Sequence, residues 1–240
     1  MEITSLKLDY NVCENKTPGA LPVIIVAAGN SSRMGTDKQF LSVAGVPVIA
    51  RTLMSFERSP DVSRIILVTR EQSIKDMQII ADKYFISKLS DIVKGGDSRA
   101  QSVACGIERL KKDEEKVLVS DGARIFVTPK MISDCVEALK KHDGCLCALK
   151  VSDTVKSAFE GQVKKTVDRN GLYLAQTPQG ITVSLYKKAM ESGDMSAFTD
   201  DASVLESVGG DVVIVEGNKR NIKITTPEDI ELAKIFAREE

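Results

Sequence analysis

The stretch VIIVAAGNSSRMGTDKQF, from Val23 to Phe40, decides the fold. Its first four residues, 23–26, are β-branched and apolar, which predicts a strand that is covered on both faces, as in a parallel sheet. Three small residues, 27–29, follow, so that backbone N–H groups there can approach a ligand closely. Arg33 and Lys38 then add two positive charges. The pattern favours a loop that receives phosphate groups, although a surface loop with two solvated cations is the alternative.

This loop matches neither of two common phosphate-binding motifs. No Gly-Lys-Ser/Thr sequence closes it, which excludes a Walker A loop. Ser31 stands where a dinucleotide-binding GxGxxG motif would need its second glycine. The sequence therefore predicts a nucleotide site of another type.

The composition limits the classes of function. The chain has 240 residues, 42% of them hydrophobic, and a formal net charge of −1. One α/β domain with an appendage fits this length, and the near-neutral charge argues against a general nucleic-acid or membrane surface. The five cysteines form no CxxC motif, and we expect reduced thiols in a cytoplasmic protein. Residues 1–20 lack the pattern of a signal peptide, and we expect a loosely ordered extension there.

Strands and helices alternate along residues 21–240. Apolar strand patterns at 64–69, 116–119 and 144–151 are separated by helical patterns, of which 98–110 is the clearest. This order predicts a doubly wound, mostly parallel, Rossmann-like sheet. Turn signals within residues 152–176 predict a protruding β-hairpin arm.

Three loops follow predicted parallel strands, at 29–38, 95–99 and 121–124. In doubly wound sheets, ligands bind beyond the carboxyl ends of the strands. We therefore expect these loops to meet at one site. Asp200 and Asp201, which precede a helical segment, are interpreted as helix caps.

Eight segments, taken in order, resemble those of the 2-C-methyl-D-erythritol 4-phosphate cytidylyltransferase family. They are AAGNSSRMGTDKQFL (27–41), GGDSRAQSV (95–103), SDGAR (120–124), SDTVK (152–156), VDRN (167–170), QTPQ (176–179), TDDAS (199–203) and NIKITTPEDI (221–230). The resemblance runs from Pro22 to the C-terminus. It implies that CTP and 2-C-methyl-D-erythritol 4-phosphate react to give 4-diphosphocytidyl-2-C-methyl-D-erythritol and pyrophosphate, a step of non-mevalonate isoprenoid precursor synthesis.

The resemblance also implies roles for particular residues. The catalytic cations would be Arg33, Lys38 and Lys223. CTP would be bound by Ala27, Ala28, Gly29, Gly95, Gly96, Asp97 and Ser102. The second substrate would contact Arg124, Thr154 and Arg169, and Asp121 would help to place Mg²⁺, the implied cofactor. Arg99 is expected to be structural. A homodimer is also implied, in which the 152–176 arms interlock for dimerisation and Arg169 enters the partner's site.

Two positions depart from the family pattern. Ser120 replaces the usual histidine, and Ile125 replaces the usual proline. These departures keep open a non-catalytic nucleotide-binding relative as an alternative. A ribitol-5-phosphate cytidylyltransferase is the other alternative, although that group usually opens with Ala-Gly-Gly and departs from the segments at 152–156 and 167–170.

Overall fold

The computed structural model describes residues 18–29, 37–191, 195 and 198–239. Within them, a seven-stranded sheet has the order β11-β7-β10-β6-β1-β4-β5. Its strands are β1 (Leu21–Val26), β4 (Val62–Thr69), β5 (Leu89–Lys94), β6 (Lys116–Asp121), β7 (Gly144–Lys150), β10 (Tyr173–Thr182) and β11 (Val212–Glu216). Only β10 pairs antiparallel with its neighbours in this sheet. The predicted mostly parallel α/β sheet is therefore confirmed.

Helices cover both faces of this sheet. They are α1 (Val48–Glu57), α2 (Ile74–Lys83), α3 (Arg99–Ile107), α4 (Pro129–Leu139), α5 (Val183–Glu191), α6 (Asp201–Ser207) and α7 (Pro227–Phe236). The helix predicted at 98–110 is α3, which begins after a capping box between Ser98 and Gln101. The Cβ atom of an alanine at Gly106 would lie 2.6 Å from Ile24, so only glycine lets α3 pack this closely on β1.

Strand β1 supplies both halves of the core. Val23 and Ile25 pack on one face with α1, α2 and α4, whereas Ile24 packs on the other face with α3, α5 and α6. Both faces are apolar, as the β-branched run predicts, because successive side chains of a strand point to opposite sides. A third cluster, around Val43, Ile125 and Ile230, joins α7 to the short strand β2 (Ser42–Val43), which pairs with β3 (Val46–Pro47).

The segment predicted as an arm divides into two parts. Residues Val155–Phe159 (β8) and Gln162–Val167 (β9) form a two-stranded antiparallel sheet, separate from the large sheet. From Tyr173 onward, however, the chain belongs to β10 and pairs with β7. The predicted boundary of the arm at residue 176 is therefore wrong, since β10, a strand of the large sheet, begins at Tyr173. The sequence hid this strand because Pro178, a residue that disfavours central strands, lies in β10. The register of β10 shifts between Ala175 and Gln179, and a break of this kind accommodates a proline.

No helix among the described residues combines the length and apolarity needed to span a membrane.

Candidate active site

A cavity of about 580 Å³ opens at the carboxyl ends of β1, β4, β5 and β6. Its walls come from the three predicted loops, from the segment that follows β4 and from the distant residue Lys223. They comprise Val26, Ala28, Gly29, Lys38, Gln39, Arg70, Glu71, Gln72, Lys94, Gly95, Gly96, Asp97, Ser98, Arg99, Ser102, Asp121, Ala123 and Lys223. The expectation that the loops meet is therefore confirmed, since parallel strands place their carboxyl ends at one edge.

One wall of the cavity is a tightly packed glycine loop between β5 and α3. A Cβ atom at Gly95 would lie 2.5 Å from the Cβ of Ala28 and 2.8 Å from the hydroxyl of Ser102. The buried Ser102 hydroxyl donates to the carbonyl of Ser98 at 2.9 Å. Ser102 thus braces the loop from behind, while the backbone at Gly95 lines the cavity without a side chain.

Asp121 is the centre of charge in the cavity. Its carboxylate lies 2.9 Å from the ammonium of Lys223, 3.4 Å from Nε of Arg99 and 3.5 Å from Nε of Arg124. Burial by itself raises the pKa of Asp121, but the three cations outweigh it and hold that pKa well below its usual range. The side chain is therefore an ionised carboxylate at neutral pH.

Lys38 lies beside this cluster. It begins a short 3-10 turn, whose first N–H groups are capped by Asp37. Asp37 also forms an ion pair with Arg70, the residue that follows β4. The Lys38 ammonium donates to the carbonyl of Ile224 at 2.9 Å, which brings it next to Lys223. Two of the predicted catalytic cations therefore meet, although they are far apart in sequence.

The two departures from the family pattern are both buried. The Ser120 hydroxyl lies 3.1 Å from the hydroxyl of Thr177, which also accepts a hydrogen bond from the backbone N–H of Asp121 at 3.0 Å. Ile125 packs in the apolar cluster with Val43. Neither residue lines the cavity. The backbone at Asp121 is held on the buried side by its hydrogen bond to Thr177.

Asp200 and Asp201 do different things, and the interpretation of both as caps is correct only for the first. Asp200 accepts a hydrogen bond from the backbone N–H of Ser203 at 3.0 Å, as an N-cap does. The Asp201 side chain is 1% exposed and lies 2.7 Å from Nη2 of Arg99. Burial raises the pKa of Asp201, even though Arg99 opposes that rise. The pattern of two adjacent acids could not show which of them turns inward.

Other predicted residues lie outside the cavity walls. Ala27 is a core residue. Arg124 is buried behind Asp121 and donates to the carbonyl of Asn221 at 2.7 Å. Thr154 and Arg169 are exposed near the β8–β9 hairpin, where Arg169 donates to the carbonyl of Ser152.

The structure thus brings together Lys38, Lys223, Asp121, Ala28, Gly29, Gly95, Gly96, Asp97 and Ser102. It does not bring Thr154 and Arg169 to them. Arg33 lies outside the described residues.

Sequence reasoning missed three polar residues that follow β4. Arg70, Glu71 and Gln72 line the same cavity as Asp121. The sequence could have indicated these residues, because the segment RIILVT that precedes them was predicted as a parallel strand. Ligands bind beyond the carboxyl ends of such strands. Lys94, at the end of β5, was missed in the same way and forms an ion pair with Glu71 at 2.8 Å.

Asp121 fits a magnesium ion that is shared with substrate phosphates. No group of three or more His, Cys, Asp or Glu side chains in the described ranges could hold a metal. Mg²⁺ prefers oxygen ligands and is commonly bound through one or two carboxylates together with phosphates and water. A single ionised carboxylate at the cavity wall meets that requirement, whereas a metal cage made of protein alone would not form here.

Solved structures with this architecture come from several bacteria. One, titled the crystal structure of 4-diphosphocytidyl-2C-methyl-D-erythritolsynthase from Anaerococcus prevotii, aligns with a TM-score of 0.78 at 30% identity, over 92% of this chain and 99% of that one. The 2-C-methyl-D-erythritol 4-phosphate cytidylyltransferase from Thermus thermophilus aligns with a TM-score of 0.74 at 28% identity, over 91% and 98%.

Sequence relatives agree with the structural ones. Two proteins named 2-C-methyl-D-erythritol 4-phosphate cytidylyltransferase are 42% identical over 218 residues, in Bacillus cytotoxicus, and 43% identical over 220 residues, in Bacillus cereus. The matches span 89% and 90% of this chain and 96% and 97% of the relatives. A family model described as IspD: 2-C-methyl-D-erythritol 4-phosphate cytidylyltransferase matches residues 21–239. The resemblance found in the sequence is therefore confirmed, and the chain belongs to this family.

Proposed function

We propose that this protein joins CTP to 2-C-methyl-D-erythritol 4-phosphate, giving 4-diphosphocytidyl-2-C-methyl-D-erythritol and pyrophosphate. One observation carries the proposal within this family. Lys38 and Lys223 converge on the cavity where Asp121 and the glycine loop also lie. Such an arrangement suits a reaction in which charge builds up on a phosphorus atom.

The reaction forms a bond between a phosphate oxygen of the sugar alcohol and the α-phosphorus of CTP. The bond between that phosphorus and pyrophosphate breaks, and the leaving group carries the electron pair away. A phosphate monoester has its second pKa near 6, so the attacking oxygen is already anionic at neutral pH. No general base is required. This agrees with a chain whose one histidine, His142, pairs with Asp211 outside the cavity walls.

The work of the protein is therefore positioning and electrostatic stabilisation. Lys38 and Lys223 would bind the triphosphate and stabilise the five-coordinate phosphorus, and we propose the same for Arg33. The loop from Gly95 to Asp97 would hold the cytidine. Mg²⁺, which Asp121 would hold together with the phosphates, supplies further positive charge when it is bound.

The proposed contacts of the second substrate, Thr154 and Arg169, lie outside the cavity walls of their own chain. We propose a homodimer in which Thr154 and Arg169 of one subunit complete the site of the other. The hairpin exposes apolar side chains, with Phe159 64% and Val163 63% exposed, and an isolated two-stranded hairpin is marginally stable in water. A partner that covers these side chains would stabilise it.

We also propose that the enzyme works in the cytoplasm. The described cysteines, Cys105, Cys135, Cys145 and Cys147, are free thiols. The sulfur atoms of Cys135 and Cys147 lie 3.5 Å apart and form no disulfide bond, which suits a reducing compartment.

One assay tests the reaction. The purified protein is given CTP and Mg²⁺ with either methylerythritol phosphate or ribitol 5-phosphate, and pyrophosphate release is measured. We expect release with methylerythritol phosphate alone. Release with ribitol phosphate alone would assign the other substrate, and CTP binding without any release would indicate a non-catalytic relative. Light scattering tests the dimer, and a fully active monomer would contradict it.

A further inference from the structure

We propose that Arg99 and Asp201 form a positioning pair that fixes the carboxylate of Asp121 for the transfer reaction. This inference rests on the proposed function. The Arg99 guanidinium joins the two acids, with Nη2 2.7 Å from Asp201 and Nε 3.4 Å from Asp121. Arg99 is also part of the cavity wall, so the pair connects a buried helix terminus to the site of phosphate binding.

Side chains of strand β10 accept hydrogen bonds from the backbone of Asp121 and of Asp201, the two acids that Arg99 contacts. Thr177 accepts a hydrogen bond from the backbone N–H of Asp121 at 3.0 Å. Two residues further along, the side-chain carbonyl of Gln179 accepts from the backbone N–H groups of Asp201 and Ala202, at 2.9 and 3.0 Å. Thr177 and Gln179 are buried in the middle of the sheet. The separation of the two carboxylates is therefore set by a rigid element, and the planar Arg99 side chain spans it.

Two local rules are broken at this contact. Arg99 is the first residue of α3, and a cation at a helix N-terminus is unfavourable because that end carries partial positive charge. Asp201 is buried although Asp200 already caps α6, so helix capping does not explain it. A buried ion pair is also weak evidence for stability, since well-packed apolar residues often serve as well. Local rules that break together are expected at functional sites.

Lysine could not replace Arg99 in this arrangement. The guanidinium presents several N–H groups in a fixed plane, whereas an ammonium is a point charge on a flexible stem. Without Arg99, the Oδ1 atom of Asp121 would lose its contact at 3.4 Å, and the carboxylate would be held only through Oδ2, by Lys223 and Arg124. The nucleotide phosphates would then be held in a changed position.

A double-mutant cycle tests this proposal. The variants are Arg99→Met, Asp201→Asn and the combination, each assayed by pyrophosphate release with CTP, Mg²⁺ and methylerythritol phosphate. We expect each single variant to lower kcat about tenfold or more, because small misplacements of reacting groups can cost up to ~100-fold. The KM for CTP should change less than about threefold, as expected for an effect on the transition state. If Asp201 acts through Arg99, the double variant should be no slower than Arg99→Met.

Glu114→Gln is the matched control. Glu114 forms a partly buried ion pair with Arg64 at 2.6 Å, outside the cavity walls, so this variant should lose stability and keep kcat. If Asp201→Asn does not fold, Arg99→Lys takes its place, and it should lower kcat while its Tm stays near that of the wild type.

Three outcomes separate the possibilities. The positioning role is overturned if Asp201→Asn lowers Tm but leaves kcat within about twofold of the wild type. It is also overturned if the losses of the two single variants multiply in the double variant, since independent effects on free energy add. A wild-type protein that releases no pyrophosphate would instead contradict the proposed function.

Discussion

The ammonium of Lys223 lies 2.9 Å from a carboxylate oxygen of Asp121, so the segment near the C-terminus closes on the end of β6. Both residues belong to the cavity wall, and each neutralises the other while no substrate is bound. If Asp121 holds Mg²⁺ and Lys223 holds the triphosphate, as proposed above, we expect this pair to separate when the substrate binds.

Asp121→Asn tests this arrangement. We expect turnover to fall at least about 100-fold, comparable to the loss of one strong electrostatic contact in a transition state. Affinity for CTP in the absence of Mg²⁺ should rise, because the negative charge of Asp121 no longer offsets the positive charges of Lys223, Arg99 and Arg124. Calorimetric titration with and without Mg²⁺ measures this. An equal loss of CTP affinity under both conditions would contradict the metal role of Asp121.

Lys38→Ala should separate binding from catalysis. Removing a cation that acts mainly in the transition state is expected to lower kcat by about 10²–10³-fold. The dissociation constant of CTP should rise much less, since other cations still hold the phosphates. Lys234→Ala, on α7 and outside the cavity walls, is the control and should behave as the wild type. Parallel losses in kcat and CTP binding would argue against a transition-state role.

Gly95→Ala should damage the nucleotide loop. The added methyl group would lie 2.5 Å from the Cβ of Ala28, and overpacking of this kind costs about 1–3 kcal/mol. We expect a lower free energy of unfolding together with weaker CTP binding. Among the residues that the structure describes, none lies within 4 Å of a methyl group added at Gly29, so Gly29→Ala should unfold at the denaturant concentration of the wild type. If the two variants were equally stable, the loop would have moved to accommodate the methyl group at residue 95, and the prediction would be wrong.

Thr177→Val should weaken the support beneath Asp121. The change keeps the shape but removes the hydroxyl that accepts from the Asp121 N–H at 3.0 Å. A buried donor without a partner costs about 1–3 kcal/mol, which urea unfolding would detect. Thr177→Ser retains the hydroxyl and should keep most of the stability. If serine and valine destabilise equally, packing rather than the hydrogen bond explains the effect.

Glu114→Gln should reveal a pH-dependent contribution to stability. The hydrogen bond from Arg64 lowers the pKa of Glu114, and the charge of Arg64 adds to the effect. Because the folded-state pKa lies below the unfolded one, the stabilisation is complete above the unfolded value of 4.5. It is lost as the pH falls through the folded value. The variant should thus be about 1 kcal/mol less stable at pH 7, with the difference shrinking as the pH falls below 4.5. A difference that persists in acid would contradict this.

The sequence predicted those parts of the structure in which local pattern and tertiary context agree. The β-branched run of β1 is covered on both faces, as expected, and the apolar spacing of α3 matches its packing on that strand. The convergence of the loops after β1, β5 and β6 followed from topology alone. These features needed no knowledge of a particular contact.

Strand β10 and Asp201 could not be predicted in the same way. Pro178 argues against a central strand, and only the break in register between Ala175 and Gln179 shows how the sheet accommodates it. Asp200 and Asp201 have the same side chain, so composition could not distinguish a solvated cap from a buried ion pair. That difference depends on Gln179 and Arg99, which are distant in sequence.

The pairing of Lys150 with Tyr173 has an evolutionary consequence. The last residue of β7 and the first of β10 are direct neighbours in the sheet, so everything between them, residues 151–172, is an insertion at the tip of one strand pair. Changes in the length of that insertion leave the strand pairing that carries Thr177 and Gln179 in place. Selection can therefore act on the outer excursion, where Thr154 and Arg169 lie, without disturbing the sheet beneath Asp121.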